Sequence, residues 1–560
     1  MHQQEDCFTS FNESIDSYTL PEKFTFPFYY EPHPLCLLAA EQLQQHLKTQ
    51  TYWQHNFGLE GNKETAQGKM FGVLLVKNKD NKIGYISAFS GKLADKNLLP
   101  NFVPPVFDML TKDSFFLSEQ IVINDINDQI KSLEQSSEIT ALELALKTEQ
   151  NAADTKIKAH RERMILGRKN RKAERNNAEL TLSYSDFLKL KEHLGKESVK
   201  EKNQLRDLNI YWNERIEKVA EPLNQFTDKL DKLKNQRKTL SANLQKKLFS
   251  QYRFLNSKGV VKNLIDIFSN TINPIAPAGS GECAAPKLLN YAFKNDLKPL
   301  ALAEFWWGIS PKSEIRQHRN FYPACQSKCQ PILTHMLESI ELDENPLLTN
   351  PGKAKSIEIV FQDDMMVVIN KPSGLLSVPG KDIEDCVYQR MKLLFPQATG
   401  PLIVHRLDMA TSGLMVIALT KQANKKLQQQ FIKRMVKKRY IALLDGVLNK
   451  EEGTVNLPLR VDLDDRPRQL VCYDYGKPAE TYWQIIERAN SQTKVYFYPK
   501  TGRTHQLRVH SAHINGLNMP IVGDDLYGKR SNRLHLHAES LSCSHPVTNE
   551  TLHFQVDAEF

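Results

Sequence analysis

No run of apolar residues in this 560-residue chain is long enough to span a bilayer, which argues against a helical membrane protein. The opening Met1-His2-Gln3-Gln4-Glu5-Asp6-Cys7 lacks the basic and then apolar pattern of a secretion signal. Eight scattered cysteines offer no disulfide framework, so a reducing, cytoplasmic setting is expected. No GxxxxGKS/T or GxGxxG phosphate cradle stands out, so no nucleotide cofactor is expected. Charge of one sign is not in large excess: 74 Lys and Arg against 65 Asp and Glu leave a net charge of +9. That mild surplus suits an RNA partner without requiring one. No self-similarity is found at solenoid periods.

Proline all but vanishes between about 115 and 255, where Pro222 stands alone among Lys, Glu, Leu and Asn. The absence of breakers predicts long helices. Trp212, Val219, Phe226, Leu233 and Leu240 form one seven-residue series; Ile216, Leu223, Leu230 and Leu244 form a second, broken at Arg237. Gly167, Asn176, Asn177 and the Ser183-Tyr184-Ser185-Asp186 cluster offer places to turn. The simplest expectation is an antiparallel helical hairpin, with arms of about 60 residues and 80–90 Å. A parallel coiled-coil dimer, and with it self-association through this region, is the alternative. Pro222 either kinks the return arm or begins a new helix after Glu221. The run Arg161, Arg163, Arg168, Lys169, Arg171, Lys172 and Arg175 is either a solvated helix face or a phosphate-contacting one.

A chain of this length exceeds one core. Met70–Val76 and Ile83–Phe89 read as a hairpin. Residues 256–345 hold a Gly/Pro-rich stretch from Pro274 to Gly281, then Cys283, Phe305-Trp306-Trp307 and a cluster from Phe321 to Cys329. We expect 1–115 and 256–345 to form one small accessory domain, with the helical region 116–255 inserted between them. Cys283, Cys325 and Cys329 read as buried structural cysteines rather than zinc ligands with His318 or His335, because the Cys-x3-Cys spacing lacks a second close pair. No metal is expected, and Trp306 and Trp307 read as core. Asn345-Pro346 and Asn350-Pro351-Gly352 mark a linker, so a last domain spans 350–560.

Within that domain, His405-Arg406-Leu407-Asp408 sets one carboxylate beside two cationic residue types, just ahead of the apolar run Leu414 to Leu419. Alone, Asp408 would be read as a turn cap accepting backbone N–H groups. An acidic residue framed by cations before a buried strand also suits chemistry on a polyanion. Tyr440, taken alone, is half-buried strand packing, and Arg503 a solvated turn residue. His505 and Arg508, three apart on a probable helix, share a face that meets phosphate or water.

Several motifs in order carry a resemblance. They are Asn370-Lys371-Pro372-Ser373-Gly374-Leu375-Leu376-Ser377-Val378-Pro379-Gly380, His405 to Leu414, Lys437-Lys438-Arg439-Tyr440-Ile441-Ala442, Thr501 to His510, and Arg533-Leu534-His535-Leu536-His537-Ala538. Together they resemble the RluA-type RNA pseudouridine synthases over the last 215 or so residues. Those enzymes convert uridine to its C-glycoside isomer without a cofactor. The resemblance implies an α+β fold with a mixed, largely antiparallel sheet. It makes Asp408 the essential carboxylate, acting at ribose or base. It implies Tyr440 as the aromatic face and hydroxyl at the flipped uracil, and Arg503 as the charged partner of Asp408. His405, Arg406, Lys438, Arg439, His505 and Arg508 would contact RNA, with Arg406 filling the space the base leaves or binding backbone. The expected partner is a stem-loop of ribosomal RNA, with transfer RNA second. The alternative is a non-catalytic RNA-binding, ribosome-assembly or chaperone protein, which has no need of the carboxylate.

Overall fold

The computed structural model describes residues 7–61, 64–112, 114–463 and 465–560. Residues 1–6, on which most of the secretion-signal reading rests, lie outside the described residues. The chain divides into two compact units, one of Met1–Asp108 with Phe249–Phe560 and the other of Met109–Leu248.

The first unit opens with α1 (Pro34–Thr49), β1 (Lys69–Lys77) and β2 (Ile83–Phe89). Proline begins α1, where its missing N–H leaves no bond unmade.

The second unit is helical. It holds α2 (Phe115–Glu134), α3 (Ser137–Thr181) and most of α4 (Tyr184–Gln251). Ser114 and Ser136 accept N–H groups at the starts of α2 and α3. The reversal falls at Leu182-Ser183, within the window the sequence offers, while Gly167 stays inside α3. Pairing is antiparallel and within the chain. Lys247 meets Glu119, Lys234 meets Glu134, Arg215 meets Glu149 and Arg171 meets Glu201. Trp212 and Leu244 are buried along the seam and the other heptad positions half-buried. Helix α4 runs through Pro222 without starting anew. The break between α2 and α3 at Gln135-Ser136 carries no glycine or proline to mark it in advance.

The first unit resumes with β3 (Arg253–Leu255), β4 (Val261–Asn263), α5 (Leu264–Phe268), α6 (Ala284–Lys294), β5 (Lys298–Trp307) and α7 (Cys329–Met336). Strand β5 pairs antiparallel with β1, giving the order β2-β1-β5. One face of this sheet packs Phe71, Val73, Ala303 and Phe305 against Leu35, Leu43 and Leu47 of α1. Trp307 belongs to that core.

The C-terminal part contains β6 (Glu358–Gln362), β7 (Met366–Lys371), α8 (Val387–Leu394), β8 (Leu402–Ile403), β9 (Ser412–Ala418), α9 (Lys421–Ile432) and β10 (Lys437–Leu444). It continues through β11 (Glu452–Asn456), β12 (Leu459–Val461), β13 (Gln469–Val471), β14 (Glu480–Ala489), β15 (Gln492–Pro499), α10 (Gln506–Ala512), β16 (Leu536–Ser544) and β17 (Thr551–Gln555). The large sheet runs β11-β14-β15-β10-β16-β9-β7-β6, with β17 on β16 and β8 on β9. Its β16–β9 pair is parallel and the other pairs are antiparallel. The fold is thus α+β, with a mixed and largely antiparallel sheet. Among the described residues, no helix is long and apolar enough to cross a membrane.

Candidate active site

Strand β9 is buried along its whole length, as its unbroken apolar run requires of a strand with neighbours on both sides. Gly413 sits at φ +114°, and a Cβ there would lie 2.4 Å from the Ala538 carbonyl oxygen of β16. Only glycine lets the parallel strands approach this closely. The loop just before β9 carries Asp408, so the carboxylate hangs from the centre of the sheet rather than from a mobile edge.

That loop is held from below by residues 371–377. The buried Lys371 ammonium donates to the carbonyls of Pro372, Leu375 and Met409 at 3.0, 2.7 and 3.1 Å, using all three of its donors. Burial pushes its pKa down to about 7, with Asp408 pulling the other way. Ser373 donates to Ala410 O, Gly374 N–H to Met409 O, and Ser377 both donates to Leu407 O and accepts from Leu407 N–H. The Lys-Pro segment is therefore the cradle of the Asp408 loop.

The carboxylate itself is left open. Among the described residues, Asp408 holds no salt bridge, and the turn-cap reading fails because it is the Asp408 carbonyl, not the side chain, that accepts Thr411 N–H. Tyr440, in β10, faces it from a half-buried position. Burial and then the Asp408 charge raise the phenol's pKa, keeping it protonated. The expected Arg503–Asp408 pair is not formed. Arg503 is exposed and donates from Nε to Pro478 O at 3.1 Å. Its place in a turn ahead of α10 points its guanidinium to solvent. The arginine that feels Asp408 is Arg508, on α10. Burial opposes its charge, but Asp524, Asp525 and, further off, Asp408 more than offset that and raise its pKa.

All nine residues singled out from the sequence line one open cleft of about 1810 Å³. They do not all face RNA in the way expected. His405 accepts Val416 N–H at Nε2 and stacks on Phe431, and burial followed by Lys438 lowers its pKa to about 3. It is a neutral brace for β9, not a phosphate ligand. Arg439 is held by Glu539 at 2.7 Å and lies over the Tyr496 ring. His505 is buried at φ +53°, its Nδ1 against the Tyr527 hydroxyl, and Arg508 is buried on Asp524 and Asp525. These two support the wall rather than present charge to phosphate. Arg406 and Lys438 keep cationic groups without an ion-pair partner among the described residues, and Arg434 and Lys437 join them on the lining.

The sequence reading missed Tyr29, which comes from the accessory part to line the cleft and hydrogen-bonds Asp525. Its 496-residue separation from Asp525 left no local signal. It also missed the Asp524-Asp525 pair: the two acids after Gly523 stand in the sequence, but the fold alone brings them to Arg508.

The family described as RNA pseudouridylate synthase matches residues 365–513. The chain is 45% identical over 219 residues to the dual-specificity RNA pseudouridine synthase RluA of Escherichia coli (strain K12), covering 38% of this chain and 97% of that protein. It is 46% identical over 210 residues to the RluA of Yersinia pestis, covering 36% of this chain and 99% of the relative. A solved structure, human RNA pseudouridylate synthase domain containing 1, aligns at 29% identity with a TM-score of 0.33, over 38% of this chain and 87% of that one. Near-complete coverage of relatives at this identity defines an RNA-modifying isomerase. The chain belongs to the RluA-type RNA pseudouridine synthases, with a long segment ahead of the matched region.

Proposed function

We propose that this chain isomerises a specific uridine in a structured RNA loop, with Asp408 as the essential carboxylate. The observation that carries this reading is an open carboxylate on a rigid loop, inside a cleft where Arg406, Lys438 and Arg503 hold no ion pair among the described residues. A base inside a folded loop hides its glycosidic bond, so the nucleotide is flipped into the cleft at a cost of about a few kcal/mol. Tyr440 then gives the uracil an aromatic face and keeps a protonated hydroxyl beside Asp408. Arg406 occupies the vacated space or binds backbone, and Lys438 and Arg503 meet phosphates. Asp408 acts as the C1′–N1 glycosidic bond breaks and a C1′–C5 bond forms between the same ribose and the turned uracil; C5 gives up its proton and N1 takes one up. No atom is gained or lost in the step.

The preferred substrate is ribosomal RNA, with transfer RNA second. The relatives are named dual-specificity enzymes, and the extension adds exposed basic positions on α3 that suit a larger RNA. Purified chain assayed on both RNAs tests this. Activity on transfer RNA stem-loops with none on ribosomal RNA would overturn the preference. Equal RNA binding with no isomerisation of either would favour the non-catalytic alternative.

A further inference from the structure

Three cysteines that the pseudouridine chemistry does not use meet in the accessory part. The Sγ atoms of Cys283, Cys325 and Cys329 all lie within 4.8 Å of one another. Cys329 is buried, the other two are partly so, and all three are free thiols. Two of them stand at helix starts: Cys283 caps the 11-residue α6 without making a side-chain cap bond, and Cys329 is the first residue of α7. Helix N-termini favour the thiolate form, the form that binds metal. The amides of Lys328 and Cys329 also reach Cys325 Sγ. Neither His318 nor His335 joins the group. His318 accepts Gly308 N–H at Nδ1, and His335 Nε2 meets the Phe254 carbonyl.

We propose that Cys283, Cys325 and Cys329 bind a single thiophilic divalent ion of the zinc class. The separations select the nuclearity. Thiolates at about 2.3 Å from one tetrahedral ion stand roughly 3.8 Å apart, within reach of the observed trio. The fourth position is open to water or to the buried Glu304 carboxyl of β5, which lies close enough to interact with Cys283 and Cys325. Buried Lys287 offsets part of the negative charge of a three-thiolate ion. A disulfide would use two of the sulfurs and leave the third without a role.

The location gives the ion a consequence. Between β5 and Cys325 the chain crosses the catalytic part. There Lys312 O accepts from His513, Ser313 O accepts Val471 N–H, and Arg316 pairs with Asp465 at 3.2 Å. An ion joining Cys283 to Cys325 and Cys329 fixes one end of this strap to α6 and α7.

The test uses the full chain, purified under reducing conditions. Elemental analysis should find about one zinc per chain. Exchange with cobalt(II) alone should produce a near-ultraviolet sulfur-to-metal charge-transfer band. Cys325→Ser should abolish both, whereas Cys472→Ser, outside the cluster, should leave both intact. Because the wild-type cobalt spectrum needs no variant, a poorly folded Cys325→Ser does not spoil the test. Metal-free protein with no cobalt band, a disulfide within the trio, or iron with sulfide in place of zinc would each overturn the proposal.

Discussion

At the residue scale, the two arginines of the Thr501 to His510 motif have opposite jobs. Arg503 is exposed, with its guanidinium tip turned to solvent, so Arg503→Ala should weaken RNA binding and raise KM while leaving stability within about 0.5 kcal/mol. Arg508→Ala should instead strand the fully buried Asp524 and cost about 3–5 kcal/mol in urea denaturation. Equal behaviour of the two variants would contradict the assignment. His405 gives a pH test. Its folded pKa, about 3, lies below the ordinary 6.5, so the unfolded chain binds the extra proton between those values. Its contribution to stability is therefore complete above pH 6.5 and is lost as pH falls toward 3. Replacing His405 with Gln should flatten that part of the wild-type stability curve; an unchanged slope would remove the neutral-brace reading. The motif string made Asp408 and Tyr440 legible. It did not separate Arg503 from Arg508, because burial and the Asp524 counter-ion are set by the fold and not by spacing.

At the element scale, periodicity carried the most. A nearly proline-free stretch with a heptad became α2, α3 and α4, and the apolar run after Asp408 became the central strand β9. What periodicity lacked was contact information. It left open the helical partner, which ion pairs such as Arg215–Glu149 and Arg171–Glu201 define as this chain's own other arm. It also left open the cradle under Asp408, which depends on Lys371 meeting a carbonyl 38 residues away. On α3, Arg161, Arg163, Arg168, Lys169, Lys172 and Arg175 are exposed, while Arg171 is taken by Glu201. Replacing those six with Ser should lower RNA affinity and leave kcat unchanged. The slope of log K against log salt should shrink by roughly 0.7–0.9 for every phosphate the variant no longer neutralises. An identical salt slope would return the run to a solvated face.

At the scale of the whole molecule, the accessory part and the catalytic part of the first unit meet through a few strong contacts. Arg316, 12% exposed, pairs with Asp465 and lies over the Tyr322 ring, while Tyr29 reaches Asp525 at the cleft. Removing the Arg316 charge leaves Asp465 with only Arg468 as an ion-pair partner among the described residues. Arg316→Met should therefore cost about 3 kcal/mol and broaden or split thermal unfolding, read by calorimetry. A single unshifted transition would contradict this view of the interface. None of these contacts between the two parts was legible in sequence, since each joins residues more than a hundred positions apart. The central claim is that an open Asp408 carboxylate isomerises uridine in RNA. Its most direct test is to map pseudouridine in total RNA from cells with the wild-type chain, without it, and with Asp408→Asn, checked with purified protein. The same defined sites should be lost in the deletion and the substitution, with RNA binding retained and kcat reduced by about 10³-fold or more. Pseudouridine formed at wild-type rate by purified Asp408→Asn protein would contradict the claim.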